Sequence, residues 1–380
     1  QLENLRITSG MLDRPVTGPD GGSCWVTGTL PSGLGLLTSL RALYLNTPTE
    51  TTGVPSEIGN LKVLEQLDIA YGHGIVGLPA EIGALSSLQR LFLGGLSVSS
   101  FPSELGMLSS LQTLRIEELK HLSSLPEEFS QLSSLTALEL SALPRLLGLP
   151  TSFGNLRSLK ELQCTKLSIT GLPASFGGLV ALEELIIQQC RDFAIIPPEF
   201  GQLPSLRNFQ CHMSNVGSLP QEFGNLATLE ELGISDAPLA SVPAEFGNLA
   251  GLTKLKLSSL SVSSLPPEFG SLSSLKSLAL KLRALEQLPG ELGNLASLSF
   301  LSLCATNLTE LPPTIGSLSQ LEDLRIIACP KFTLIPSGLG QLTKLKSVKI
   351  LRTPPVTLHL DVFDAPVLEE LSVCGVQRQL

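Results

Sequence analysis

Fourteen prolines, at 31, 55, 79, 102, 126, 150, 173, 197, 220, 243, 266, 289, 312 and 336, follow one another at intervals of 23 or 24 residues. A period held over that length constrains the fold more than any other feature. Each interval must build the same small unit, and such units become stable only by stacking. The text around the prolines repeats as well: LPAEIGALSSLQRLFL at 78–93, LPEEFSQLSSLTALEL at 125–140, LPQEFGNLATLEELGI at 219–234, LPPEFGSLSSLKSLAL at 265–280. The regular part covers residues 30–350 and leaves no room for a linker. The expected organisation is one repeat domain over 1–380. It has an irregular N-terminal part with a loop insertion (1–29) and an irregular C-terminal part (351–380).

Each unit opens with LxxLxL, as in LRALYL at 40, LEQLDI at 64 and LEDLRI at 321. Its last positions alternate apolar and variable residues, which predicts a short strand with one buried face. The LPxEFG phrase predicts a short helical or 3₁₀ segment. Pro suits its first position, and the following Glu lies where a carboxylate meets unpaired N–H groups and the positive end of the dipole. Phe, Ile or Leu points inward, and Gly is expected to end the turn in a left-handed conformation. The strands then pair in parallel on one face and the LPxEFG segments lie on the other.

The 43% of hydrophobic residues supply a large core, and with aromatics at 4% it must be mainly aliphatic. A net charge of -9 argues against nucleic acid, which needs a concentrated basic face. No run of 18 apolar residues is present, so membrane insertion is not expected. Seven Cys without a CxxC pair are not expected to form a disulfide framework, which weakly favours a reducing compartment. The sequon Asn307-Leu-Thr309 is compatible with secretion. A start at Gln1 reads as a mature or trimmed piece of a longer product. His73, His121, His212 and His359 share no metal spacing, and no nucleophile motif or phosphate loop is found. No enzyme activity, cofactor or metal is expected.

The pattern LxxLxL…LxxLPxEFGxLxxL resembles the leucine-rich repeat over nearly the whole chain. It is closest to plant-type and Ras-group-related repeats of 23–24 residues, including those of plant intracellular immune receptors. The resemblance implies an α/β repeat solenoid, a horseshoe with a parallel β-sheet on its concave face and short helical or 3₁₀ segments on its convex face. It also implies a protein-binding module serving as sensor or scaffold in signalling or immunity. One departure stands out. The family places Asn three residues beyond the strand motif, where this chain has Pro48, Gly72, Leu96, Leu119, Leu143, Leu167, Cys190, Ser214, Ala237, Leu260, Arg283, Thr306 and Cys329. How the backbone donors there are satisfied is left open.

Chemistry is therefore sought in positions the repeat leaves free. The middle residue of LxL runs Tyr44, Asp68, Phe92, Arg115, Glu139, Gln163, Ile186, Gln210, Gly233, Lys256, Ala279, Ser302, Arg325, Lys349. Tyr44 and Phe92 read as exposed aromatics that Tyr71, Arg90 and Asp68 complete into an anchor pocket, since aromatic and Arg side chains dominate interface hot spots. Lys254, Lys256, Lys276, Arg325 and Lys349, with Lys281 and Arg283 nearby, make the C-terminal third basic against Glu-rich middle strands. Such a gradient would orient an extended partner. The insertion TSGMLDRPVTGPDGGSCW, with Trp25, reads as loop. The last strand motif, LEELSV at 368–373, offers an unpaired edge through which a larger assembly can form. The partner expected is a protein or peptide on the concave face. The alternatives are a structural subunit using its ends and convex face, and a targeting domain of a longer enzyme.

Overall fold

The computed structural model of the chain describes residues 2–8, 28–46, 51–358, 365–373 and 376–378. The loop insertion with Trp25, Pro48 and His359 lie outside the described residues. Two compact units are present: Gln1–Leu182 with Gln189–Asp192, and Glu183–Gln188 with Phe193–Leu380.

In the first unit the LxxLxL motifs become parallel strands at Asn4–Thr8, Ala42–Asn46, Gln66–Ala70, Arg90–Gly94, Thr113–Glu117, Ala137–Leu143 and Glu161–Leu167, side by side in chain order. In the second they are Glu184–Gln188, Asn208–His212, Glu231–Ala237, Lys254–Ser259, Ser277–Leu282, Phe300–Cys304, Asp323–Ile327, Ser347–Leu351 and Glu370–Val373. The register advances by one repeat per strand, so Tyr44 stands beside Asp68 and Asp68 beside Phe92. The leucines of the motif face inward, and Leu275, Leu278 and Leu280 are all buried.

Most LPxEFG phrases form a 3₁₀ segment entered by their proline, as in Ser56–Asn60, Gln221–Asn225 and Ala244–Asn248. The aromatic of the phrase is fully buried, and in several repeats it stacks on its counterpart in the next one. Phe153 and Phe176 are 6.1 Å apart in the first unit. In the second, Phe200, Phe223, Phe246 and Phe269 form a continuous spine at 5.7, 6.1 and 6.2 Å.

Two local expectations change. The Gly of LPxEFG is not left-handed, since the positive-φ glycines among the described residues are Gly95 and Gly338. It is required by close approach. A β-carbon on Gly59 would lie 2.8 Å from the Glu81 carbonyl oxygen of the next repeat, and Gly83, Gly106, Gly224 and Gly247 meet the same obstacle. Nor do the framework Glu side chains accept from the backbone of their own segments among the described residues; Glu57 and Glu104 accept instead from the Ser56 and Ser103 hydroxyls. The one strong carboxylate contact of this kind crosses repeats. Glu127 accepts from the Thr151 and Ser152 N–H groups at 3.0 and 3.1 Å and from the Ser152 hydroxyl at 2.7 Å. This repeat has Ser152 in place of the framework Glu, so its neighbour supplies the carboxylate. The hydroxyl and amide donors hold Glu127 down at about 2.

The missing Asn is also accounted for. The residue just before that position takes a left-handed conformation in repeat after repeat, with φ near 55° at Tyr71 (59°), Glu118 (57°), Met213 (53°) and Ala305 (51°). Its N–H donates to the end of the next strand: Tyr71 to the Gly94 carbonyl and Glu118 to the Ser141 carbonyl, both at 2.9 Å. Leu96, Leu119, Leu143 and Leu167 fill the Asn site with apolar bulk. At Cys190 and Cys329 a thiol replaces the amide, donating to the carbonyls of Cys164 and Leu303 at 3.6 and 3.7 Å. No disulfide joins the five described Cys, and burial pushes the Cys164 thiol far above its ordinary range.

Candidate functional site

Parallel register turns positions far apart in sequence into rows on the strand face. In the first unit one row reads Arg6, Tyr44, Asp68, Phe92, Arg115, Glu139. The row beside it reads Asn46, Ala70, Gly94, Glu117. The small side chains of Ala70 and Gly94 leave a cleft of about 420 Å³, lined by Tyr44, Asp68, Tyr71 and Phe92 together with Arg6, Glu117 and Glu118.

Tyr44 and Phe92 are half-buried, not fully exposed, because each carries a guanidinium from its outer neighbour. Arg6 lies over the Tyr44 ring at 4.9 Å and Arg115 over the Phe92 ring at 5.5 Å. Each such contact contributes about 0.5–1 kcal/mol at an exposed site. Arg115 is also held by Glu117 at 2.8 Å and Glu139 at 3.4 Å. Asp68 sits between the two aromatic strands. Its carboxylate accepts only long hydrogen bonds, 3.3 Å, from the Gln66 amide. Burial pushes the Asp68 carboxyl above its ordinary value, while Gln66, Arg90 and Arg6 work in the opposite sense. Tyr71 is 65% exposed at the mouth of the cleft, turned outward by its left-handed backbone.

Of the residues expected here, Tyr44, Asp68, Tyr71 and Phe92 line one cleft. Arg90 is exposed beside Gln66 and acts on Asp68 through its charge alone, and Arg115 buttresses Phe92 from outside. Sequence reasoning missed Arg6 and Glu118. Arg6 precedes Tyr44 by 38 residues, off the period because of the loop insertion, so its place in the row was not visible. The left-handed position that carries Glu118 is a property of the backbone alone.

In the second unit three of the cations expected to make the C-terminal third basic are held in ion pairs. Lys254 pairs with Glu231 at 2.5 Å and Lys349 with Glu370 at 2.9 Å. Arg325 grips Asp323 at 2.6 Å and lies over the Phe300 ring at 5.0 Å. Lys276 is exposed and lines neither of two clefts in this unit. Lys256 and Lys281 line a cleft of about 280 Å³ with Asp236 and Ser302, and Lys281 and Arg283 line an adjoining one of about 500 Å³ with Asn215 and Ser261. His212 contacts the Ser235 hydroxyl at 2.6 Å, and burial followed by Lys256 holds its imidazole below the ordinary range. Among the described residues no cluster of His, Cys, Asp or Glu could hold a metal ion, and no helix is long and apolar enough to cross a membrane.

The repeat architecture is shared with known proteins. A profile of the leucine-rich repeat region matches residues 27–143 and 268–371. A leucine-rich repeat protein of Leptospira interrogans is 30% identical over 86% of this chain and 88% of its own, with a TM-score of 0.64. The ectodomain of the Arabidopsis thaliana receptor kinase GASSHO1/SCHENGEN3, solved in complex with CASPARIAN STRIP INTEGRITY FACTOR 2, is 26% identical, with a TM-score of 0.54. That match covers 93% of this chain and 50% of the ectodomain. A plant peptide hormone receptor, RGFR1 in complex with RGF2, shares the fold at 24% identity, covering 93% of this chain and 69% of its own, with a TM-score of 0.53. No curated protein sequence matches. With the profile spanning more than half of the residues and the repeat geometry agreeing with it, the chain belongs to the leucine-rich repeat family.

Proposed function

We propose that this chain is a non-enzymatic interaction module that binds a protein or an extended peptide across its strand face. The observation that carries this reading is the cleft of the first unit. Three aromatic rings, Tyr44, Tyr71 and Phe92, surround a half-buried carboxylate, Asp68, whose hydrogen bonds are long and few. A folded framework has no need of that arrangement, since an aliphatic or charged row would stack as well. Interfaces place aromatic anchors around desolvated charges. Lys256, Lys281 and Arg283 in the second unit add a second polar contact zone of opposite sign, because no acid pairs with them among the described residues. The peptide-bound plant receptor ectodomain lends support to a peptide ligand.

The test is affinity capture from the native source with quantification by mass spectrometry, using the natural chain and three variants. Proteins retained by the natural chain should be kept by the outer-face variant Glu245→Gln. They should be lost with paired Tyr44→Ala/Phe92→Ala, and reduced with Lys256→Glu/Lys349→Glu. The reverse pattern would assign docking to the outer face and make the chain a structural subunit.

A further inference from the structure

The row Arg6–Tyr44–Asp68–Phe92–Arg115 is symmetric about Asp68: a guanidinium, an aromatic ring, a carboxylate, an aromatic ring, a guanidinium. Each ring already holds one cation from its outer neighbour. The strands of Tyr44 and Phe92 are two spacings apart, about 9.5 Å. The short Asp68 side chain between them leaves a slot above its carboxylate. Space continues sideways over Ala70 and Gly94 toward Glu117 and Glu118. Arg115 is committed to Glu117 and Glu139, whereas Asp68 has no ion pair within the described residues.

We propose that this slot receives an arginine side chain of the partner peptide, its guanidinium between Tyr44 and Phe92 and its two parallel N–H groups on the Asp68 carboxylate. The proposal rests on the strand-face reading above and narrows it to a ligand chemistry. Arginine suits the slot better than lysine for geometric reasons. Its planar fork matches a carboxylate in two hydrogen bonds and stacks on aromatic faces at once, whereas an ammonium is compact, strongly hydrated and pairs at a point. A carboxylate left with weak partners between two rings favours a cation that brings its own donors. Arg6 and Arg90 oppose a further cation at Asp68, and the carboxylates of Glu117 and Glu118, which line the same cleft, act in the other sense.

The experiment uses the full chain with alanine methyl groups labelled for NMR, since Ala70 lines the slot. N-acetyl-arginine amide is the probe, and its lysine and citrulline counterparts are controls. The expected result is a saturable shift of the Ala70 methyl signal with arginine amide, with binding several-fold weaker for lysine amide and none for citrulline amide. In Asp68→Asn the arginine affinity should fall about tenfold. If that variant does not fold, the arginine–citrulline contrast in the natural chain still decides the matter. No shift with arginine amide, or equal shifts for all three probes, overturns the slot. Binding that appears only in Arg14→Ala would overturn an external ligand and assign the slot to this chain's own Arg14, which lies outside the described residues. A peptide-display selection separates the two levels of the argument. Peptides lost in Tyr44→Ala/Phe92→Ala but lacking arginine would overturn the slot and leave the strand-face reading standing. Arginine-rich peptides insensitive to the paired change would overturn both.

Discussion

Replacing Phe223 by Leu tests whether the aromatic spine contributes stability beyond apolar bulk. Phe223 is fully buried and meets three rings: Phe200 at 5.7 Å, Phe246 at 6.1 Å and Phe209 at 6.1 Å. Phe129 occupies the same place in its repeat, is equally buried, and has no ring contact among the described residues. Leu is native at this position elsewhere, at Leu105 and Leu292, so Phe→Leu is a change the repeat already accommodates. The transfer and cavity costs should be similar at the two sites and cancel in a comparison. What remains is the ring–ring contribution, about 0.5–1.5 kcal/mol for each of three pairs, or about 1.5–4.5 kcal/mol in total. Because the three contacts share one ring they will not add fully, and we expect the lower half of that range. Native-state hydrogen exchange is the appropriate assay, since a repeat protein with two compact units need not unfold in one step. Phe223→Leu should weaken protection of Asn208–His212 and Glu231–Ala237 by more than Phe129→Leu weakens that of Thr113–Glu117 and Ala137–Leu143. Equal losses at both sites would show that the stacked rings contribute only by filling space.

Two further predictions concern the framework. The carboxyl of Glu127 is depressed to about 2 from an ordinary 4.5, so its stabilising effect is present above the ordinary value and is lost as pH falls from about 4.5 toward 2. Glu127→Gln should lower the urea midpoint at pH 7, and the difference from the natural chain should shrink through that window; a difference that stays constant with pH refutes the link. Leu278→Ala, at a fully buried site, should cost roughly 2–5 kcal/mol. Its effect on exchange should centre on Lys254–Ser259 and Phe300–Cys304, the flanking strands; a uniform rise throughout the second unit would contradict nearest-neighbour stability.

Much of this was legible in the sequence, because a period converts separation into adjacency. Once the prolines are aligned, Tyr44, Asp68 and Phe92 must stand side by side, and the inward leucines and the LPxEFG aromatics must be buried. What could not be read depends on distances between repeats. The LPxEFG glycine looks like a left-handed stop in one repeat; only the neighbour's carbonyl, close against it, shows that lack of a β-carbon is the requirement. The pairing of individual cations was equally hidden: Glu231, Asp323 and Glu370 each lie within one strand of the cation they hold.

Gly94 separates the framework from the site. Its place in the repeat is a strand end, where other copies carry Asn46, Ala70, Glu117 or Ser141, so nothing in the period calls for glycine. Glycine in a strand is unfavourable by about 0.5–1 kcal/mol relative to alanine. Its backbone does not require it either, since Gly94 is not among the positive-φ residues. The obstacle to a side chain there is the Phe92 ring, whose tip would lie 2.6 Å from a β-carbon. Gly94 thus gives room to one particular ring, and that ring is held over it by Arg115, which in turn is held by Glu117 and Glu139. Four residues on three strands fix the position of a half-buried aromatic beside a weakly bonded carboxylate. Solvation of a sheet gives no reason for such a chain of dependence, but it follows naturally if Phe92 must stand ready for a ligand before the ligand arrives.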